Sequence, residues 1–276
     1  MHTVTPSHPA ARLRRVASVL ISSVLLVGCA PAGFIRLKRR GARTWLLGAY
    51  AVAGLPCFLA VYGYLGIIGF AAFLPELDMR VGDNVARTVR NEGGNYESTF
   101  LETRRDTHGH HELIRVQVEP HGGNLLHYHR SFEETFTVIE GELTVQIGER
   151  TVVLKPGESA TVPRGTMHTF RNEADVMCTM TVRIEPARGL EKSIRAGYGL
   201  ANDNTINSGG TMKVIWRYAL ILAYSETYLD GIPSIIQDPL VPALARIAQW
   251  KGEDAEMMKY FGFDRADERY AVTQRH

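Results

Sequence analysis

A series of short alternating segments fills the middle of this chain and limits the folds it can adopt. From about residue 80 to 186, polar and apolar residues alternate with a period of two, for example over 113–118, 143–147 and 176–184. Successive side chains of a β-strand point to opposite faces, so this period indicates strands with one buried face. Turns rich in glycine and proline separate the segments. Many short strands with close turns are typical of a β-sandwich or barrel, and we predict a mainly β domain.

Charge and cysteine content exclude two classes of protein. The net charge is only +2 over 276 residues, so the chain lacks the basic character that nucleic-acid binding requires. The three cysteines, Cys29, Cys57 and Cys178, lie in three different segments. An odd and scattered set does not form a disulfide framework or a CxxC metal motif. Cys178 falls in an alternating run, and we predict a buried apolar thiol.

The first 78 residues differ from the rest because they contain two long uncharged runs. Residues 16–35 and 45–75 carry no charged side chain, and a basic cluster lies between them at 36–43. Each run is long enough for a transmembrane helix, which needs roughly 20 apolar residues. The sequence therefore predicts N-terminal transmembrane helices. The basic residues on both sides of the runs leave the side of the membrane open.

Two other interpretations of the N-terminal region remain open beside the membrane hairpin. Residues 1–29 resemble a lipoprotein signal, with arginines, an apolar stretch and the motif Leu-Val-Gly-Cys that ends at Cys29. Alternatively, translation starts at Met79 and the preceding segment is a misassigned extension. The hairpin and signal interpretations predict attachment to the membrane through residues 16–75, and a bacterial inner-membrane location.

Three histidines of the β region have positions that could bring their imidazoles together. Seven of the ten histidines lie between residues 108 and 168. His127 and His129 are two residues apart, so on a strand they point to the same face. His168 follows the tight turn predicted at 163–165.

A carboxylate completes this candidate metal site. Glu134 would share a strand face with Phe136 and Val138. A carboxylate that points into an apolar interior is costly unless a cation or a hydrogen-bond donor meets it. Nitrogen and oxygen ligands of this kind suit a divalent transition metal, namely Fe, Mn, Ni, Cu or Zn. The sequence leaves the identity of the metal open.

These segments resemble the two signature motifs of the cupin superfamily, whose fold is an antiparallel jelly-roll barrel. The first motif has a glycine-rich start, His-x-His, a glutamate and a later glycine, matched here by Gly122, Gly123, His127, His129, Glu134 and Gly141. The second motif is matched by Gly157, Pro163, Gly165, His168 and Asn172. The resemblance implies that the metal ligands are His127, His129, Glu134 and His168.

At two positions near the first motif, this sequence departs from the family pattern or offers an alternative ligand. His121 occupies the position where the family has its first glycine, which changes only a loop. Glu133 competes with Glu134 as the acidic ligand, but Glu134 has the family's spacing to Gly141. His121 itself would lie at the barrel mouth or on the surface. Three more histidines, at 108, 110 and 111, indicate a solvated hairpin loop rather than a second metal site.

The segment after residue 187 is predicted to be helical. Residues 213–224 are apolar around nearly the whole helix, which indicates a buried or interfacial helix too short to cross a bilayer. Asp238 and Pro239 are a start signal for another helix, which would end near Gly252. These helices would pack on the barrel or on a second subunit, or form an amphipathic patch at a membrane surface.

The predicted organisation has three parts: residues 1–78 as a membrane segment or signal, 79–187 as the cupin barrel, and 188–276 as a helical extension. From Met79 to about residue 260 the chain also resembles a group of uncharacterised bacterial cupin-2 proteins. The shared features are a Met-Arg-x-Gly-Asp opening at Met79, a Gly-Leu-Ala-x-Asp segment at 199–203 and a helical tail. The oligomeric state is open, with a homodimer as one possibility.

Function follows from the resemblance only in outline. It implies a mononuclear metal-binding protein that binds a small organic molecule, as a metal-dependent dioxygenase or isomerase if it is an enzyme. The alternative is a non-catalytic, membrane-associated sensor or binding module for a small molecule. A metal-dependent sugar-phosphate enzyme is a weaker hypothesis, because no basic cluster surrounds the predicted ligands to hold a phosphate. The cupin fold hosts many chemistries, so fold alone does not choose among them.

Overall fold

A computed structural model describes residues 35, 38–39, 44–83, 85–92 and 96–262, with the side chains of 45–55 left out. The chain divides into two compact units, Met1–Pro75 and Glu76–His276. The predicted boundaries at residues 78 and 187, and the predicted homodimer, stay predictions.

The described part of the first unit is dominated by helix α1 (Thr44–Ala71), which contains Pro56. Within the residues described, no helix is both long and apolar enough to cross a membrane. The prediction of N-terminal transmembrane helices is therefore wrong. A lack of charge is not enough for a span, because a helix must combine sufficient length with sufficient apolar character. The proposed signal at Cys29 lies outside the described residues.

The second unit contains eleven strands among its described residues. They are β1 (Thr88–Asn91), β2 (Tyr96–Glu102), β3 (Glu112–Val118), β4 (His127–His129), β5 (Glu133–Glu140), β6 (Leu143–Ile147), β7 (Arg150–Leu154), β8 (Ser159–Val162), β9 (His168–Arg171), β10 (Cys178–Glu185) and β11 (Thr227–Leu229). The strands follow the period-two pattern of the sequence. A two-residue turn between Ile147 and Arg150 joins β6 to β7 as an antiparallel hairpin.

The strands form two antiparallel sheets rather than one closed barrel. One sheet has the order β1-β2-β3-β10-β5-β8, and the other has the order β11-β4-β9-β6-β7. A closed barrel needs every strand to pair on both sides, but β1, β8, β11 and β7 are edge strands of their sheets. The barrel in the predicted fold class is therefore corrected to a jelly-roll-like sandwich.

The apolar faces of the strands form one continuous core. In β10 the side chains of Cys178, Met180, Val182 and Ile184 are at most 5% exposed. Burial of each such side chain contributes roughly 1.5–3 kcal/mol to folding. Cys178 is buried as predicted, and this burial raises the pKa of its thiol to about 11.

The chain after β10 is mostly helical and has a second core of its own. The helices are α2 (Leu190–Asn202), α3 (Thr211–Tyr224), α4 (Ser234–Trp250) and a 3₁₀ helix (Ala255–Phe261). Helix α4 begins at Ser234, four residues before the predicted start at Asp238, because Pro239 is accommodated inside the helix. Gly252 follows the end of α4 with a positive φ of 77°, where the sequence predicts the helix to end.

Strand β11 joins this helical segment to the sandwich. It lies between α3 and α4 and pairs antiparallel with β4, with Thr227 opposite His129 and Leu229 opposite His127. The helical segment thus supplies the edge strand of the five-stranded sheet. Nothing in the sequence pattern predicts this strand.

Candidate metal centre

The two sheets carry the four predicted ligands on neighbouring elements. His127 and His129 lie at the two ends of β4, and His168 begins β9, directly opposite His127. Glu134 lies on β5 in the other sheet. The turn before β9 fixes this arrangement, because the Gly165 amide donates a 2.7 Å hydrogen bond to the His129 carbonyl oxygen. Gly165 has a φ of +72°, a conformation that glycine adopts without strain.

The four side chains converge in a buried place between the sheets. One ligand atom from each residue lies within 4.8 Å of the other three. The Nε2 atoms of His127 and His129 are 3.0 Å apart. One oxygen of Glu134 lies 2.8 Å from His168 Nε2 and 3.5 Å from His129 Nε2. All four residues are at most 8% exposed.

Each histidine ring is oriented by its other nitrogen. The Nδ1 atoms of His127, His129 and His168 lie 2.7–3.1 Å from main-chain carbonyl oxygens of Leu125, Ser225 and Thr166, in that order. A carbonyl oxygen only accepts, so each Nδ1 must carry the hydrogen and donate it. In the neutral ring, Nε2 then presents a lone pair. The Nε2 lone pairs of the three histidines consequently point toward the centre of the cluster.

Burial and the close pairing of charges shift the pKa values of the site. Burial, followed by the nearby His129 and His168, lowers the pKa of His127 to about 3. Burial alone would raise the pKa of Glu134, but His129 and His168 outweigh it and hold this pKa well below its usual value. Burial would lower the pKa of His168, yet its hydrogen bond to Glu134 raises it. Glu134 is thus an ionised carboxylate.

The donor set fits a divalent cation. Because the Nδ1 atoms of His127 and His129 carry the hydrogens, their Nε2 atoms face each other with lone pairs at a distance of 3.0 Å. This contact is unfavourable unless a cation or a proton lies between the two Nε2 atoms. A carboxylate oxygen of Glu134 lies 2.8 Å from Nε2 of His168, and both atoms present lone pairs. This contact therefore also needs a cation between the atoms or a second proton on the ring. Three imidazoles and one carboxylate are ligands that Zn, Fe, Ni, Cu and Mn accept.

Residues 114–183 match the family model named Cupin_2, the cupin domain. The chain contains a cupin domain. All four residues of the cluster fall within the matched cupin segment. The predicted family is confirmed.

Similar proteins add few functional details to this cupin. A protein from Aquifex aeolicus (strain VF5), described as uncharacterised, is 29% identical over 93 residues, covering 30% of this chain and 76% of that protein. Uncharacterised YdbB from Bacillus subtilis (strain 168) is 40% identical over 47 residues, covering 17% of this chain and only 42% of YdbB. A crystal structure described as a predicted oxalate decarboxylase from Thermotoga maritima has 19% identity and a TM-score of 0.34, covering 40% of this chain and 99% of that one. This low similarity does not assign an activity to the cupin described here.

The remaining predicted residues lie outside the cluster. Glu133 is exposed, whereas its neighbour Glu134 is buried among the histidines. His121 is exposed and lies 3.4 Å from Asp175. Within the described residues, only one group of potential metal ligands is found, and the histidines at 108, 110 and 111 are not in it.

A large cavity of this cupin lies away from the four ligands. Its volume is about 1160 Å³, and none of the four ligands lines it. The cavity wall includes Arg188 and, from β11, Tyr228. His127 is the most exposed of the four ligands, at 8%, and Leu125, whose carbonyl oxygen contacts its ring, is 73% exposed.

Two residues that contact the site, Ser225 and Thr227, were not predicted from the sequence. The Ser225 carbonyl oxygen accepts the hydrogen of His129 Nδ1, and the Thr227 hydroxyl lies 3.4 Å from the same nitrogen. Both residues follow α3, about a hundred positions after the ligand they contact. Neither belongs to a cupin motif, so only the fold brings them to the site.

Proposed function

We propose that this cupin is a mononuclear metalloprotein that binds a small organic molecule and acts on it as a metal-dependent dioxygenase or isomerase. His127, His129, Glu134 and His168 would hold the metal. The observation that carries the proposal is the convergence of three Nε2 lone pairs and one carboxylate in a buried place. Groups arranged in this way repel one another unless a cation is present.

The protein residues have defined tasks in this proposal. The main-chain carbonyls of Leu125, Thr166 and Ser225 keep each Nε2 directed inward. Glu134 neutralises part of the charge of the ion, and the surrounding sandwich core excludes water. When bound, a divalent transition metal supplies Lewis-acid or redox chemistry for a small substrate. The exposed Leu125 offers an apolar surface beside His127 for an organic molecule.

A second candidate is a non-catalytic small-molecule binding module. The low exposure of all four ligands and the absence of these ligands from the wall of the large cavity favour it. Substrate turnover requires direct access of a small molecule to the metal, whereas a structural or sensing metal does not.

Metal content tests the shared part of both candidates. The purified full-length chain is expected to contain close to one divalent metal per chain by inductively coupled plasma mass spectrometry. His127→Ala and His168→Ala should each remove it, because each leaves an incomplete ligand set. His121→Ala is the matched control, because this histidine is exposed and lies outside the cluster, and it should keep the metal. Unchanged metal content in both ligand variants contradicts the proposal.

Activity measurements separate the enzyme from the binding module. Oxygen consumption is followed with a panel of phenols and enols, and isomerisation of the same compounds is followed by proton NMR. Turnover that disappears in His168→Ala and persists in His121→Ala supports an enzyme. Binding of a compound by calorimetry without turnover supports the non-catalytic module.

A further inference from the structure

The helical segment after the cupin domain contacts a predicted metal ligand directly. His129 Nδ1 donates to the Ser225 carbonyl oxygen at 3.1 Å and lies 3.4 Å from Thr227 Oγ1. Ser225 is 2% exposed and Thr227 is half-buried, so water competes little for these bonds. The corresponding partners of His127 and His168, in contrast, are carbonyls only two residues away in sequence.

Strand β11 also supports the strand that carries His127 and His129. Strand β4 has only three residues, and β9 pairs with it only at His127. All three residues of β4 pair with β11. On the side of His129, the backbone of β4 is therefore held by β11 and by the Gly165 amide.

A chain of hydroxyl groups links this contact to the helices. Thr227 Oγ1 lies 2.7 Å from Ser225 Oγ. Ser193 on α2 donates to the Ile221 carbonyl oxygen at 2.8 Å, and its Oγ lies 3.1 Å from Ser225 Oγ. The hydroxyl of Thr227 is fixed by this network, so its position relative to His129 is set by two helices.

We propose that Thr227 and Ser225 are positioning residues that fix the ring orientation and basicity of His129, so that the C-terminal segment completes the metal centre of the cupin domain. The inference rests on the proposed function, because it assigns a role toward the bound metal. The matched cupin segment ends at residue 183, so the domain match alone does not include either residue.

The physical basis is the second nitrogen of the ring. A partner that accepts the Nδ1 hydrogen raises the electron density at Nε2 and limits rotation of the imidazole. Loss of such a partner typically weakens metal binding by about 10–100-fold. Thr227 shares the hydrogen with the Ser225 carbonyl, so removal of its hydroxyl should produce an effect near the lower end of that range.

The test compares three full-length variants loaded with Co²⁺ after removal of other metals. Thr227→Val removes the hydroxyl but keeps the shape, and Thr227→Ser restores a hydroxyl. Thr88→Val is the matched control, because Thr88 also lies on a strand and bonds a second hydroxyl, Thr99 Oγ1 at 2.9 Å, but is not part of the cluster. Co²⁺ affinity and the visible absorption spectrum of the bound ion are the readouts.

Thr227→Val is expected to bind Co²⁺ about tenfold more weakly and to shift the Co²⁺ absorption bands, since the ligand field at His129 changes. Thr227→Ser and Thr88→Val should match the unmodified chain in both measurements. Thr227→Val with unchanged affinity and spectrum overturns the inference while the metal site stands. An unmodified chain that does not bind Co²⁺ overturns the proposed function and this inference together.

A second variant keeps the test decisive if Thr227→Val does not fold, as judged by circular dichroism. Ser225→Ala keeps the main-chain carbonyl but removes the hydroxyl partner of Thr227. A shift of the Co²⁺ bands in Ser225→Ala that is reversed in Ser225→Thr supports the inference. A spectrum identical to that of the unmodified chain overturns it.

Discussion

His127 and His129 hold their Nε2 atoms 3.0 Å apart while each Nδ1 donates to a carbonyl oxygen. This relationship follows from their two-residue spacing on β4, which directs both side chains to one face. Each ring is fixed by its Nδ1 bond, so the two lone pairs do not separate without breaking a buried hydrogen bond. A metal ion between the two Nε2 atoms would replace the repulsion of their lone pairs with attraction to the ion.

Metal removal should therefore destabilise the fold. At a free metal concentration about a thousand times the dissociation constant, binding adds about 4 kcal/mol to the free energy of unfolding. For a domain of this size, a chelator should then lower the melting temperature by about 10 °C. Differential scanning calorimetry with and without chelator measures the effect. His168→Ala is the control, and a chelator-induced shift of equal size in that variant would contradict the prediction.

Glu134→Gln should weaken metal binding by at least about 100-fold, because loss of one partner from a buried charge pair costs about 3–5 kcal/mol. The amide keeps the volume of the side chain but not its charge. Glu133→Gln changes the adjacent, exposed side chain and should leave the affinity unchanged. Competitive titration with a chromophoric chelator measures both affinities. Equal losses in the two variants would show that Glu134 is not the ligand.

Glu112 should make stability depend on pH. It is 1% exposed and accepts hydrogen bonds from the amides of Arg188 and Glu191. Burial, with the nearby Glu191 carboxylate, raises the pKa of Glu112 from 4.5 to about 7, against the lowering effect of those amides. The folded chain thus holds a proton that the unfolded chain releases near pH 4.5. This contribution to stability is complete below pH 4.5 and is lost as the pH rises through 7.

The size of the Glu112 effect is about 3 kcal/mol, from about 1.4 kcal/mol per pKa unit. Urea unfolding between pH 4.5 and 8 should show a steeper decrease for the unmodified chain than for Glu112→Gln, which does not titrate. Glu119→Gln, at a partly exposed position, should keep the original slope. Parallel curves for the unmodified chain and Glu112→Gln would disprove the assignment.

Two glycine substitutions should have opposite effects on stability. Gly165→Ala places a side chain at a φ of +72°, which should cost about 1–2 kcal/mol. Gly197 lies inside α2, where an added Cβ meets only Ile221, at 4.0 Å. Gly197→Ala should therefore stabilise the chain by up to about 1 kcal/mol. Chemical unfolding measures both changes, and destabilisation by Gly197→Ala would contradict the second expectation.

Local patterns allowed the strands and ligands to be predicted, since both depend on spacing within one element. The alternation in β10 directs Cys178, Met180, Val182 and Ile184 inward, as expected. The spacing to Gly141 favours Glu134 over Glu133, and the structure buries the former. Gly141 itself has a φ of +78°, and a Cβ there would lie 2.7 Å from the Met177 carbonyl oxygen.

Long-range pairing could not be predicted from the same patterns. Whether β7 and β8 close a barrel depends on contacts between distant strands, and here they remain at sheet edges. Strand β11 has three residues, too few for a periodic signal, and it lies between two helices. The transmembrane prediction relied on a lack of charge, whereas a span requires length and apolar character together, which no helix among the described residues has.

The pairing of β4 with β11 has a consequence for synthesis of the protein. His129 and Thr227 are 98 positions apart, so a ribosome must translate most of the chain before β4 gains its second neighbour. A nascent chain that ends before β11 would carry the four ligand residues without the partner of His129 Nδ1. The chain would then reach its full metal affinity only after translation has passed β11. Binding of the ion would be delayed until both sheets of the sandwich are complete.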